Sequence, residues 1–181
     1  MRAMRLLAEE FMISGKKDEG LDILWELIEM NEMDNQGNRV VLLEELTLAH
    51  RWTDLRELLA LYPRDEFLSF YYAKVIYYYY TLGKKSKTRR ALIEAYRRNK
   101  FPLRMLTGVE AFPKKLEDHF RFGDKNEALE VVPWLDKCLA KDKKLLHWIM
   151  ETLIQSGLWD EGEDRYFDYT NLTGHGKFRD N

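Results

Sequence analysis

The 181-residue chain has one cysteine, only four prolines and no long uninterrupted apolar run. Cys138 cannot form an internal disulfide, and four scattered histidines with one cysteine lack the close pairing that a structural zinc site requires. No apolar stretch approaches the length that spans a bilayer, and residues 1–10 lack the apolar core of a signal peptide. We therefore expect a cytoplasmic protein with no metal, no cofactor and no membrane association.

Motifs that support catalysis are also missing from the sequence. It has no phosphate-binding glycine loop, no nucleophile elbow and no HExxH helix. The histidines near a carboxylate are His119, beside Asp118, and His147, four residues before Glu151. Such pairs form surface hydrogen bonds more often than acid–base dyads, and Cys138 is flanked by apolar residues typical of a buried position. We expect no catalytic residue and no enzymatic activity.

A net charge of −2 hides an uneven distribution along the chain. Residues 1–66 carry 8 Lys and Arg against 15 Asp and Glu, residues 67–122 carry 13 against 4, and residues 123–181 carry 8 against 12. Within residues 67–122, most of the positive charge lies in residues 84–104, called here the basic island. Its charged residues include Lys84, Lys85, Lys87, Arg89, Arg90, Arg97, Arg98, Lys100 and Arg104. Such asymmetry bears on partners rather than on fold.

The strongest positive signal is a period of 34 residues in the first hundred positions. Equivalent residues recur at four phases: Leu24, Leu58 and Leu92; Leu27, Leu61 and Ala95; Leu7, Val41 and Val75; and Gly15, Ala49 and Gly83. This period is typical of a helix-turn-helix unit, which cannot bury its apolar face alone and therefore stacks on copies of itself.

Apolar residues at helical spacing, without strand-like alternation, predict an all-α fold. Helix pairs are predicted at 2–14 and 18–31, at 36–49 and 52–62, and at 66–82 and 86–99. The predicted hinges are Gly15, the region of His50, and Gly83. Two prolines and a glycine interrupt residues 100–122, where we expect a short helix and an irregular connection.

The repeated residues resemble the pattern of tetratricopeptide repeats. The positions of that family are occupied in the first unit by Met4, Leu7, Ala8, Phe11, Gly20, Leu24 and Leu27. A third unit matches with Tyr72, Val75, Ile76, Tyr79, Thr88, Leu92 and Ala95, and a last unit with Leu146, Ile149, Met150, Leu153, Gly162, Tyr166 and Tyr169. In the second unit Leu42 and Glu45 break the pattern, so we expect irregular packing there. Small residues at the matching positions let paired helices approach closely.

The resemblance implies a right-handed α-α superhelix of stacked helix-turn-helix repeats. We expect one domain over residues 1–170, with units at about 1–33, 34–66, 67–100, an interrupted 101–141, and 142–170, followed by a flexible tail at 171–181.

A narrower resemblance covers about residues 30–150. Short motifs in a shared order are similar to the helical-repeat region of the suppression-of-tumorigenicity family and to a group of bacterial repeat proteins. They comprise residues 34–39, Tyr62, Asp65, Asn99, Pro102, residues 122–124, Glu127, Ala128 and Trp134. This resemblance implies a fold and a binding role rather than a reaction.

Tetratricopeptide repeats usually bind partners in a concave groove, so the resemblance implies a protein–protein interaction module that binds a peptide or a partner helix. The groove residues carried over are Arg2, Arg5, Gln36, Arg39, Leu43, Tyr77, Tyr80, Lys144 and His147. The cationic members can hold a carboxylate or an acidic peptide, and the tyrosines offer a stacking surface. The alternative is that Arg39 pairs with a local acid such as Asp34 and that the tyrosines pack internally.

Two further hypotheses stay open. The basic island can bind nucleic acid or another acidic polymer. The isoelectric point of about 6.1 argues against nucleic acid, and a solvated helix face explains the charges equally well. The other hypothesis is self-association, because the aromatic residues of 67–80 fall on every side of one helix and leave some rings exposed.

Overall fold

The computed structural model describes residues 2–113 and 121–160, and within them every regular element is an α-helix. The helices are α1 (Arg2–Ile13), α2 (Lys17–Met30), α3 (Asn38–Leu48), α4 (Trp52–Leu61), α5 (Leu68–Leu82), α6 (Ser86–Arg98), α7 (Phe101–Leu106), α8 (Lys125–Lys141) and α9 (Lys143–Gln155). The all-α fold is confirmed, and the three predicted helix pairs are confirmed to within two residues at each end. None of these helices combines the length and the apolar character needed to cross a bilayer.

Left-handed backbone follows the first helix of each predicted pair. Gly15 and Gly83 have φ of 85° and 71°, which a residue without a Cβ adopts readily. In the second pair the left-handed residue is His50, with φ of 57°, one position after the Ala49 that shares the period. A residue with positive φ therefore follows the first helix of all three pairs, and in the second pair this residue is a histidine rather than a glycine.

The interruption after the third pair contains the short helix expected there, α7, which ends before Gly108 with its φ of 74°. Other sequence predictions fall outside the described residues. These are Asp118, His119, Gly162, Tyr166, Tyr169 and the tail 171–181.

The chain divides into two compact units, Met1–Gly83 and Lys84–Asn181, and each is described by itself. In the first unit α1 packs on α2, α2 on α3, α3 on α4 and α5, and α4 on α5. In the second unit α7 packs on α8, and α9 contacts both α6 and α8. The right-handed superhelix and the single domain over 1–170 stay predictions.

Two of the repeated leucines lie in the core of the first unit. Leu24 and Leu58 are completely buried. At Gly20 the paired helices approach so closely that a Cβ would lie 2.8 Å from the carbonyl oxygen of Ala8 and 2.6 Å from Cγ of Met12. The expectation that small residues allow close helix contact is thus met in the first pair. Leu61, at a phase of the period where Leu27 is completely buried, is 56% exposed.

The second pair departs from the repeat pattern at the two positions that the sequence singled out. Leu42 is completely buried although the pattern has a small residue there. Glu45 replaces an aromatic residue and pairs with Lys17 of α2 at 2.7 Å. A carboxylate at this repeat position is thus accommodated by a cation from the preceding helix pair.

An ionic network joins α6 to the start of α8 in the second unit. Two nitrogens of Arg98 donate to the carboxylate of Glu127 at 2.9 and 3.2 Å. The amide of Asn99 donates to Glu127 at 2.9 Å, and the backbone N–H of Gly123 donates to it at 2.6 Å. Asn99, Gly123 and Glu127 all belong to the motifs of the narrower resemblance. In this structure these motif residues bind one another and hold the end of α6 against the start of α8.

Candidate interaction surfaces

Arg39, predicted as a groove residue, is the centre of an internal clamp in the first unit. Its Nε donates to Asp65 at 2.5 Å, and its Nη1 donates to the Asp34 carboxylate at 3.1 Å. The guanidinium also lies over the rings of Tyr62 and Phe67, at 5.3 and 5.1 Å from their centroids. The structure therefore supports the alternative in which Arg39 pairs with local acids.

The loop before α3 places the side chain of Asp34 at the first residues of that helix. Asp34 has a φ of 42°, and its side chain is completely buried. Its two carboxylate oxygens accept the backbone N–H groups of Asn38 and Arg39 at 2.9 and 2.8 Å. Burial alone would lower the pKa of Arg39, but its hydrogen bonds to Asp65 and Asp34 and their negative charges outweigh this and raise it.

Arg5 is also engaged within the first unit. Its Nη1 donates to the carbonyl oxygen of Gln36 at 2.7 Å and to Oδ1 of Asn38 at 3.4 Å, and its Nε pairs with Glu9 at 3.1 Å. Arg5 therefore links α1 to the turn that precedes α3. Neither of the two central arginines of the predicted groove presents a free guanidinium for an acidic ligand.

The remaining predicted groove residues differ in accessibility. Leu43 is completely buried, so its prediction as a partner contact is corrected: its position on α3 faces the core. Gln36 is half-buried, and Arg2 is exposed. In the second unit Lys144 and His147 are both exposed on α9.

Four rings lie against one another in the first unit where the end of α3, the start of α4 and the second half of α5 meet. We call His50, Trp52, Tyr77 and Tyr80 the aromatic surface. The Trp52 centroid lies 4.9 Å from that of His50 and 5.0 Å from that of Tyr80, with interplanar angles of 27° and 20°. Tyr77 lies 6.4 Å from Trp52. His50 is exposed and the other three are half-buried, so the stack is fixed internally and still reaches solvent.

A concave feature of the first unit was not predicted from the sequence. It is a groove of about 670 Å³ between the second half of α2, the turn after it and the end of α4. Its aromatic and apolar lining is Trp25, Ile28, Met33, Leu61 and Tyr62, and its charged lining is Glu29, Glu32, Glu57 and Arg39. We call it the acidic groove. The excess of acids in residues 1–66 was the only signal in the sequence, and it could not locate a groove.

The basic island belongs largely to α6. Lys87, Arg90 and Arg97 are exposed on this helix. Arg98 is engaged by Glu127, and Arg104 lies over the Trp159 ring at 5.5 Å from its centroid. Part of the island is thus internal, and part forms a basic helix face.

Over residues 2–113 and 121–160, no cluster of histidine, cysteine and acidic side chains is arranged to hold a metal ion. Cys138 is 8% exposed in α8, as expected of a buried apolar position. On α9, Glu151 accepts a hydrogen bond from Gln155 at 3.3 Å. Comparison of the chain with protein-family models, curated proteins and solved structures finds no match in any of the three, so its function is argued from its own residues.

Proposed function

We propose that the chain is a non-catalytic, tetratricopeptide-like interaction module that binds a peptide or a partner helix in the concave groove of its repeats. Three features support this assignment: the 34-residue period, the left-handed hinges at Gly15, His50 and Gly83, and the burial of the leucines at one phase of the period, which are Leu24, Leu58 and Leu92. Helical arrays of this kind present extended surfaces to partners.

The observation that carries the proposal is the aromatic surface. Rigid aromatic side chains supply large contact area at low entropic cost, and they dominate the energetics of many interfaces. Trp52 and Tyr80 are held by stacking, so little ordering is required on binding. Because Arg5 and Arg39 are engaged internally, the expected ligand contributes an apolar, aromatic or proline side chain to this surface rather than a carboxylate.

Selection of peptides provides the test. Twelve-residue peptides are selected from a random display library on the immobilised wild-type protein, and their affinities are measured by fluorescence anisotropy. Tyr77→Ala and Tyr80→Ala should each weaken the selected peptides by about tenfold, which corresponds to about 1.4 kcal/mol. Tyr71→Ala is the matched control, because Tyr71 is half-buried on the same helix but lies outside the aromatic surface. Enriched peptides that bind both groups of variants equally would refute the proposal.

The exposed basic face of α6 supports an alternative, association with nucleic acid or another acidic polymer. Lys87, Arg90 and Arg97 lie at helical spacing, and contacts of such residues with phosphates weaken steeply as salt rises. Retention on single-stranded DNA should then fall steeply between about 50 and 200 mM NaCl. Retention that is independent of salt, or unchanged in Arg90→Glu/Arg97→Glu, would exclude this function.

A further inference from the structure

The acidic groove has apolar and aromatic walls that the first unit leaves partly uncovered. Ile28 is 3% exposed and forms the inner part, while Met33 and Leu61 are 79% and 56% exposed. Leu61 occupies a repeat position whose equivalents, Leu27 and Ala95, are completely buried. A residue of the repeating core pattern thus faces solvent beside a groove, and contiguous exposed apolar side chains of this kind mark interaction sites.

Three carboxylates surround these apolar residues. Glu29, Glu32 and Glu57 are exposed, and no ion pair joins any of them to another residue in the described parts of the chain. Other acids of the first unit are engaged, for example Asp54 with Arg51 at 2.6 Å and Glu45 with Lys17 at 2.7 Å. The acids around the groove are therefore available to a cation from outside the unit.

The one cation in the lining does not offset this negative charge. Arg39 is held by Asp34 and Asp65, whose combined charge exceeds its own. The pKa of the Tyr62 hydroxyl is raised, first by burial and then by the negative charge of Asp34. Asp65 and Glu32 raise it as well, and together these effects outweigh the opposing effect of Arg39. The groove thus combines an apolar lining with a net negative charge.

We propose that the acidic groove binds a basic amphipathic segment of a partner protein, with an apolar side chain against Ile28 and Leu61 and with Lys or Arg residues beside Glu29, Glu32 and Glu57. Charge complementarity selects this occupant, because an acidic segment would be repelled and a purely apolar one would leave the carboxylates uncompensated. The site is separate from the aromatic surface, so it goes beyond the function proposed above.

Two labelled synthetic peptides of 14 residues test the proposal by fluorescence anisotropy. Both carry Leu at helical spacing, and the remaining positions are Lys in one peptide and Glu in the other. The Lys peptide should bind the wild-type protein and lose affinity as NaCl is raised, because exposed charges are screened. The Glu peptide should not bind. Absence of binding by the Lys peptide at low salt would overturn the proposal.

Matched variants separate this groove from general attraction to an acidic protein. Glu29→Lys/Glu57→Lys should weaken the Lys peptide by about tenfold or more, since two attractions become repulsions. Glu10→Lys/Glu26→Lys makes the same change of charge at exposed positions outside the groove and should alter affinity by less than about twofold. Equal effects of the two double variants would overturn the proposal.

Three further measurements complete the test. Leu61→Ser should weaken the Lys peptide by about fivefold if the apolar anchor is real, and an unchanged affinity would refute the anchor. Tyr77→Ala should leave this peptide unaffected, so the failure of either proposal can be recognised without the other. In sedimentation analysis, self-association of the wild type that disappears in Glu29→Lys/Glu57→Lys would identify a second copy as the occupant and would overturn the partner segment proposed here.

Discussion

Replacing Arg39 with methionine should destabilise the protein strongly. The substitution keeps most of the side-chain length but removes the cation from two carboxylates whose side chains are 0% and 4% exposed, those of Asp34 and Asp65. Breaking a buried ion pair by removing one partner costs about 3–5 kcal/mol, because a charge remains buried without compensation. Loss of the contacts with the Tyr62 and Phe67 rings adds about 0.5–1 kcal/mol each.

The expected total loss is about 4 kcal/mol: about 3 kcal/mol for the ion pairs, at the lower end of their range because the Arg39 side chain is still 16% exposed and water partly screens them, and about 0.5 kcal/mol for each ring contact. Even so, this is a large fraction of the 5–15 kcal/mol that typically stabilises a domain. Urea denaturation followed by circular dichroism should show a lower midpoint with an unchanged slope. Arg2→Met, at an exposed arginine, is the control and should change stability by less than about 0.5 kcal/mol.

A double-mutant cycle tests the assignment of the effect to the clamp. Arg39→Met and Asp65→Asn remove opposite ends of one interaction, so the double variant should be more stable than the sum of the two single losses predicts, by at least about 1 kcal/mol. If Arg39→Met stays within about 0.5 kcal/mol of the wild type, the structural role of Arg39 is wrong. Its earlier prediction as a partner-binding residue would then regain support.

Three further predictions concern the packing and the helix start. Gly20→Ala should destabilise by about 1–2 kcal/mol in thermal unfolding, although alanine normally favours a helix interior, because the added Cβ meets the backbone of α1; a gain in stability would contradict the close approach. Leu58→Ala should cost about 2–5 kcal/mol and Leu61→Ala less than about 0.5 kcal/mol, since only Leu58 is fully buried; equal losses in urea denaturation would contradict this difference. Asp124→Ala should cost about 1 kcal/mol at pH 7, because Asp124 accepts the N–H of Glu127 at the start of α8. Burial raises the pKa of Asp124, but hydrogen bonds from the N–H groups of Glu127, Arg121 and Asn126 outweigh it and hold the pKa below its ordinary value. The contribution is therefore complete above the unfolded pKa of about 3.9 and is lost as the pH falls through the folded pKa, so wild type and Asp124→Ala should converge in acid.

The helices were predictable because their signals are local. Apolar spacing located the first six helices to within two residues, and the glycine at the first hinge marked its left-handed backbone. The period also placed the second hinge in the region of His50, which has a positive φ like the hinge glycines. Local spacing did not give the contact of its ring with Tyr80, which belongs to α5.

The candidate site was less predictable for a physical reason. Arg5 and Arg39 occupy positions that line a groove in the repeat pattern, yet each reaches a partner outside its own helix. A long cationic side chain binds whichever acceptor the folded chain brings near, and the acceptor of Arg39 lies 26 residues away in sequence. Sequence spacing predicts the helix face on which a side chain lies, but it does not predict which residues of other segments that side chain contacts.

The sequence by itself determined the helical fold, the two-helix period and the burial of Leu24, Leu58 and Leu92, because these depend on side-chain type at regular spacing along one segment. Only the tertiary structure decided which charges are paired and which are available. That outcome depends on distances between segments, so Arg39 became an internal clamp while Glu29 and Glu57 were left at the edge of an apolar groove.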